Sequence, residues 1–258
     1  MNAIGIRYLG AWSMTALLAA CGGGGGDSAS VPVVAVASPL AGGWEGTSSS
    51  GDGLQAMILE DGRMWVVDGT QVSGTLFVSG LTRGTLTTSG TAVSAADLRM
   101  HDLGTGAVAA GTLSGTFTAG TRITATVTSG GASATVQLAP AAATTYNYDS
   151  AATLAAVAGN WPGFFSNDTG TVVVAANGSF TSTTASGCKV SGTVLPRASG
   201  KNVYDVTVSF GTAACNVPVG TTAAGNAIIT NLTGGTRQLA IAVATSDGAN
   251  AGVFFGQR

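Results

Sequence analysis

A chain of 258 residues has room for one large or two small domains, each with its own core. Charged residues make up 9% of it and the net charge is -2, so the clustered lysines and arginines that grip phosphate are missing and nucleic acid is excluded as a partner. The 40 glycines, with abundant Thr, Ser, Ala and Val and almost no Glu or Lys, argue against long helices, while a hydrophobic content of 45% argues against disorder; the fold class is all-β.

The chain opens with one positive charge within residues 1–7, an apolar run over Tyr8 to Ala20 too short to span a bilayer, and small residues. Residues 1–20 therefore read as a secretory signal peptide. Its last residues, Leu18-Ala19-Ala20-Cys21, resemble the bacterial lipobox. That resemblance implies that the Cys21 thiol is joined to diacylglycerol, that Cys21 becomes the mature N-terminus, and that the membrane is a partner through this lipid. One acyl chain holds only marginally, so two or three chains, palmitate among them, are expected. In lipoproteins of this kind an aspartate after the cysteine favours the inner membrane, and here that residue is Gly22, which implies the outer membrane. Residues 21–39, beginning with Gly22 to Gly26, have the composition of a flexible tether.

Residues 40–140 and 158–258 read as two copies of one design. The first contains LAGGWEG from Leu40, EDG from Glu60 and VSGTL from Val72; the second contains VAGNWPG from Val157, ANG from Ala176 and VSGTV from Val190. GTRITATV from Gly120 is answered by GTRQLAIAV from Gly235. Asp61-Gly62 and Asn177-Gly178 suit two-residue turns between antiparallel strands, and apolar runs flank each. In YDVTVSF, Tyr204, Val206, Val208 and Phe210 alternate with Asp205, Thr207 and Ser209, as a half-buried strand requires. Each copy is expected to be an up-and-down antiparallel meander closed into a β-barrel, which removes exposed strand edges. Residues 141–157 form the linker, with one short helix capped by Asp149 or Ser150 and ending near Val157.

Gly42-Gly43-Trp44 and Gly159-Asn160-Trp161 resemble the G-x-W signature that opens the first strand of lipocalin-like barrels. The resemblance implies a helical turn before each tryptophan, a basic residue on a late strand packed over the indole, and a small apolar ligand inside. Arg122 and Arg237 are the candidate basic partners of Trp44 and Trp161, each contact worth on the order of 1 kcal/mol. Alternation puts Arg237 on a face with Leu239, Ile241 and Val243 but Arg122 with Thr124, Thr126 and Thr128, so the two arginines are expected to differ. The tryptophans themselves suffice as plugs of two packed barrels.

With Cys21 acylated, Cys188 and Cys215 remain, and an exported protein would pair them in a disulfide worth roughly 3 to 4 kcal/mol. Two buried free thiols are the alternative. The catalytic inventory is short. His101 is the single histidine, read as a surface or strand-edge residue; Asp97 or Asp102 could orient it, but no G-x-S-x-G stretch presents a serine. Only two glutamates occur, Glu45 and Glu60, and Pro162 stands where Glu45 would repeat. No catalytic residue, metal ligand set or cofactor is expected.

The expectation is thus a lipid-anchored, non-enzymatic envelope lipoprotein that binds an envelope or host protein through its loops. Two other roles stay open: carriage of a small apolar ligand inside a barrel, and a structural spacer.

Overall fold

The structure is a computed structural model that describes residues 37–72 and 75–258. The expected signal peptide of residues 1–20, the lipidation candidate Cys21 and all but the end of the expected tether lie outside the described residues, as do Ser73 and Gly74 of VSGTL.

The first copy forms β1 (Gly42–Ser48), β2 (Gly53–Ile58), β3 (Arg63–Val72), β4 (Thr75–Thr85), β5 (Thr87–Ser89), β6 (Ala92–Asp102), β7 (Val108–Thr118), β8 (Arg122–Ser129) and β9 (Ala132–Pro140). Neighbours in sequence pair antiparallel except β4 and β5, β1 pairs with β9, and β4 pairs with β6, which closes an eight-stranded barrel with the short β5 as an appendage on β6. The second copy forms β10 (Gly159–Phe165), β11 (Asp168–Val174), β12 (Ser179–Thr184), β13 (Lys189–Pro196), β14 (Tyr204–Phe210), β15 (Thr222–Asn231), β16 (Arg237–Ala244) and β17 (Ala251–Gln257), closed by β10 against β17. The protein is all-β, with two up-and-down barrels in tandem.

Repeated motifs have repeated jobs. Gly46 and Gly163 lie two residues beyond the tryptophans, on the same inward face, where the first strand of each barrel meets the last. A Cβ at Gly46 would stand 1.9 Å from the Gln137 carbonyl oxygen, and one at Gly163 would stand 2.0 Å from that of Phe255. Only glycine lets the backbones approach closely enough to turn the sheet onto itself. The turns at Asp61-Gly62 and Asn177-Gly178 differ from expectation. The Leu59 amide donates to Arg63 O and the Ala175 amide to Ser179 O, so each loop has three residues, with only Gly62 (φ 84°) and Gly178 (φ 84°) left-handed. A two-residue type I′ turn would need Asp61 and Asn177 at positive φ as well; placing glycine third in the loop confines that geometry to the residue that tolerates it.

Two landmarks correspond less closely than their sequences. Gly62 O accepts from the Leu86 amide and Gly178 O from the Val194 amide, so the partner of Val194 is Leu86, and VSGTL at Val72 does not match VSGTV at Val190. The β3–β4 hairpin is longer than β12–β13, and this extension places Val72 and Thr75 at its far end. The linker helix α1 (Leu154–Val157) is capped by neither Asp149 nor Ser150: Thr153 takes that place, its hydroxyl accepting from the Ala156 amide at 3.2 Å.

The barrels pack side by side. Met57, Leu59 and the linker residues Tyr146 and Tyr148 form one cluster with Val203, and Leu81 and Leu103 form another with Val253. Polar contacts fix the register. Arg197, just past β13, reaches Glu60 (2.6 Å), Asp61 (2.9 Å) and Asp205 (2.7 Å), and the Tyr148 hydroxyl donates to Glu60 at 2.8 Å. Burial works upward on the Glu60 carboxyl, but these hydrogen bonds outweigh it and hold Glu60 below the usual carboxylate range. Trp65 Nε1–H donates to Asn226 Oδ1 at 3.1 Å, also across the junction. The structural use of Glu60 is therefore to join the two copies. Arg197→Met is expected to lower stability by about 1 to 2 kcal/mol, a value for a partly buried charge cluster, and to reduce cooperativity between the barrels; urea unfolding followed separately at aromatic and far-ultraviolet signals checks it, and an unchanged midpoint would contradict it.

Candidate functional site

Both tryptophans close the end of their barrel at which the chain enters. Trp44 is 4% exposed and its indole N–H donates to Leu40 O at 2.8 Å; Trp161 is 0% exposed and donates to Val157 O at 2.7 Å. Each acceptor lies four residues upstream, in the turn before the first strand or at the end of α1. A buried indole N–H without an acceptor would be costly, so the turn and the plug depend on each other.

The arginines part company. Arg237 lies over Trp161 with its guanidinium 6.0 Å from the ring, but Arg258, the last residue, lies closer at 4.1 Å. Its guanidinium also donates to Ala158 O (2.6 Å) and Ala156 O (2.9 Å), tying the end of α1 over the plug. Arg122 corrects the expectation: it is exposed, because Ile123 and Ala125 take the inward positions of β8 and a strand sends alternate residues outward. At the corresponding end of the first barrel, Tyr146 from the linker lies against Gly43. Motif reading missed Arg258: closure pairs Gly46 with Leu138 and Gly163 with Gly256, so its counterpart in the first copy is Pro140, and no shared motif marks the position.

The interiors diverge. The first barrel is lined by large side chains, including Leu54, Ile58, Met64, Leu98, Leu113 and Leu138, and keeps a cavity of about 160 Å3. The second has Val172, Val190, Val208 and Val243 on its inner wall, with Phe180 and Phe254, and opens into a cavity of about 670 Å3 that extends through its mouth to the loop after β6. That volume is in the range of sites for small organic molecules. Ser182 faces the same interior with its Oγ buried and unpartnered among the described residues.

The mouth of this cavity is built from both copies. Ser166, Ser186 and the connection around Ala214 to Val217 come from the second barrel, and the Cys188 and Cys215 sulfurs, 2.07 Å apart, tie the β14–β15 connection to the β12–β13 turn. His101 to Gly106, at the end of β6 and in the loop after it, complete the rim from the first barrel, held by the Asn167 side-chain amide donating to Leu103 O at 2.8 Å. His101 is not on the surface as expected: it is 5% exposed, because the second barrel covers the outer face of β6 there. Burial, then the neighbouring charges of Arg83 and Arg99, push its imidazole below its ordinary pKa and keep it neutral. The rim carboxylates are already engaged. Asp168 accepts from Ser186 and Asp102 from the Gly104 and Thr105 amides, and these bonds hold both below the usual carboxylate range.

Asp97 does not face His101. It accepts from the Thr85 amide at 2.9 Å on the far side of a β-bulge, so among the described residues no orienting carboxylate backs the histidine and no serine partners it. Among the described residues no group of three or more His, Cys, Asp or Glu converges to hold a metal.

At the open end of the first barrel, Asp68 sits over Gly80 beside the small cavity. Burial, with the charges of Asp52 and Asp102, pushes its carboxyl up to about 6.

Compared with protein-family models the chain matches none, and no curated protein is significantly similar to it.

Asp68 gives a pH prediction. Its folded pKa is raised from 3.8 to about 6, so its contribution to stability is complete below the unfolded value and is lost as pH rises through the folded one. Asp68→Asn is therefore expected to be more stable than the natural chain by about 2 to 3 kcal/mol at neutral pH, with the gain vanishing below about pH 4. Urea unfolding at a series of pH values tests this; parallel curves for the two proteins would contradict it.

Proposed function

We propose that the protein is a lipid-anchored, non-enzymatic lipoprotein of the bacterial outer membrane that carries a small, mostly apolar molecule in its second barrel. The observation that carries this reading is the cavity of about 670 Å3 with an apolar wall, set beside a first barrel of the same topology whose interior is largely filled. The inner part of that space, walled by Val172, Val190, Val208, Phe180 and Phe254 beneath a polar, open mouth, leaves those side chains short of dispersion contacts that an apolar occupant would supply. The anchor is supported by Leu18-Ala19-Ala20-Cys21 alone. Of the roles open to the sequence, carriage uses the interior, the disulfide-tied mouth and the first barrel's loop together.

Native mass spectrometry of residues 22–258, exported to a bacterial periplasm, is expected to show an added mass that disappears on denaturation. Val208→Trp, which fills the interior from β14, is expected to remove that mass and weaken binding of an apolar fluorescent probe at least about tenfold, by denying the ligand its space. A bare polypeptide mass together with no probe binding by the natural chain would refute carriage.

A further inference from the structure

A molecule held in an apolar barrel with an open mouth keeps any charged group of its own at the mouth, because a charge is costly to bury and cheap to leave beside water. The charges that ring the opening therefore select the head of the ligand. Among the residues that line the cavity, Asp102 and Asp168 are the two that carry a full charge, and no arginine or lysine lines it. Asp102 ends β6 of the first barrel and Asp168 begins β11 of the second, so each copy contributes one carboxylate. Both accept from neutral donors: Asp102 from the Gly104 and Thr105 amides at 2.9 and 2.8 Å, Asp168 from the Ser186 hydroxyl at 2.6 Å and from the Ser186 and Thr169 amides. Such bonds keep a carboxylate ionised without cancelling its charge, and neither residue forms an ion pair among the described residues.

The cations at this end are turned away or already matched. Lys189 stands between the lining residues Cys188 and Val190, and strand alternation sends it outward. Arg83 and Arg99 act on His101 from outside the lining, and Arg83 lies against Gly248, beside Asp247, whose carboxyl feels its charge. His101 itself stays neutral. The first barrel adds another acid nearby, since Asp68 lies over Gly80 and Gly80 pairs with Asp102. The field at the mouth is negative, and the wall beneath it carries no charged side chain.

We propose that the carried molecule is a cationic amphiphile, an alkyl- or arylamine whose ammonium head stays at the mouth in the field of Asp102 and Asp168 and whose apolar body fills the second barrel. The inference rests on the carriage reading and narrows its ligand class. An ammonium is a donor only, and a carboxylate has about four acceptor sites, so Asp102 and Asp168 receive the head while keeping the bonds that shape their own turns. The first barrel thereby takes part in binding: its loop after β6 begins with one of the two carboxylates that recognise the head, while the second barrel supplies the other and the whole apolar wall.

Decylammonium, decanol and decanoate separate head from tail, because they share a chain and differ in charge. Titration calorimetry of residues 22–258, which include every strand of both barrels, is expected at neutral pH and low salt to rank them in that order, with decylammonium about fivefold tighter than decanol. Added salt is expected to shrink that advantage, since carboxylates in contact with water are screened. The double variant Asp102→Asn, Asp168→Asn keeps an acceptor oxygen for each turn and removes both charges; it is expected to bring decylammonium and decanol within about twofold of each other. The ranking and its salt dependence are read on the unmutated protein and decide the matter even if the variant fails to fold. Decanol binding as tightly as decylammonium, decanoate binding most tightly, an advantage indifferent to salt, or one that survives in the folded double variant would overturn the cationic proposal while carriage stands. Binding of none of the three would overturn carriage itself.

Discussion

A buried indole that finds its acceptor four residues upstream is the constraint on which both halves of this molecule depend. Trp44 bonds Leu40 O and Trp161 bonds Val157 O, at nearly the same length and in the same place. The bond fixes how the chain enters the first strand of each barrel and fills the end with the largest side chain available. Two residues later Gly46 or Gly163 lets the last strand close against the first. Closure then satisfies the strand edges that an open eight-stranded meander would expose.

Within that shared frame, the size of inward side chains separates the copies. The inward positions of the first barrel carry mostly leucine, with isoleucine and methionine, where several of the second's carry valine. Removing a methylene at each of several facing positions opens space that a rigid barrel cannot collapse to fill. The first copy thus keeps the small internal cavity and the second the larger one. The two copies are joined, because Arg197, Glu60 and Tyr148 link them and the loop after β6 forms part of the rim of the larger cavity. The disulfide holds the longest connection of that rim, where no strand pairing would do so.

Much of this was legible in the sequence. The spacing of the tryptophans and their glycines announced two copies, and strand alternation gave the inward faces, including the different facing of Arg122 and Arg237. The pairing of Cys188 with Cys215 followed from their number and the expected export. What could not be read were contacts between elements distant in the chain. Arg258 over Trp161, Arg197 on Glu60 and the burial of His101 all arise where one segment folds back on another, and no local period records such a meeting. The turns misled for a different reason. Asp-Gly and Asn-Gly fit both two-residue and three-residue loops, and the choice between them is set by the register of the flanking strands. The match of VSGTL with VSGTV was similarly local, and the extra length of β3 and β4 displaced it.

The claim that one barrel is hollow and the other filled is tested most directly by methyl-resolved NMR of the doubly barrelled chain as a small apolar probe such as cyclohexane is added. The account predicts that the methyl signals of Val172, Val190, Val208 and Val243 shift together and saturate, while those of Leu54, Leu98 and Leu113 stay where they are. Shifts centred on the first barrel, or on neither interior, would contradict it.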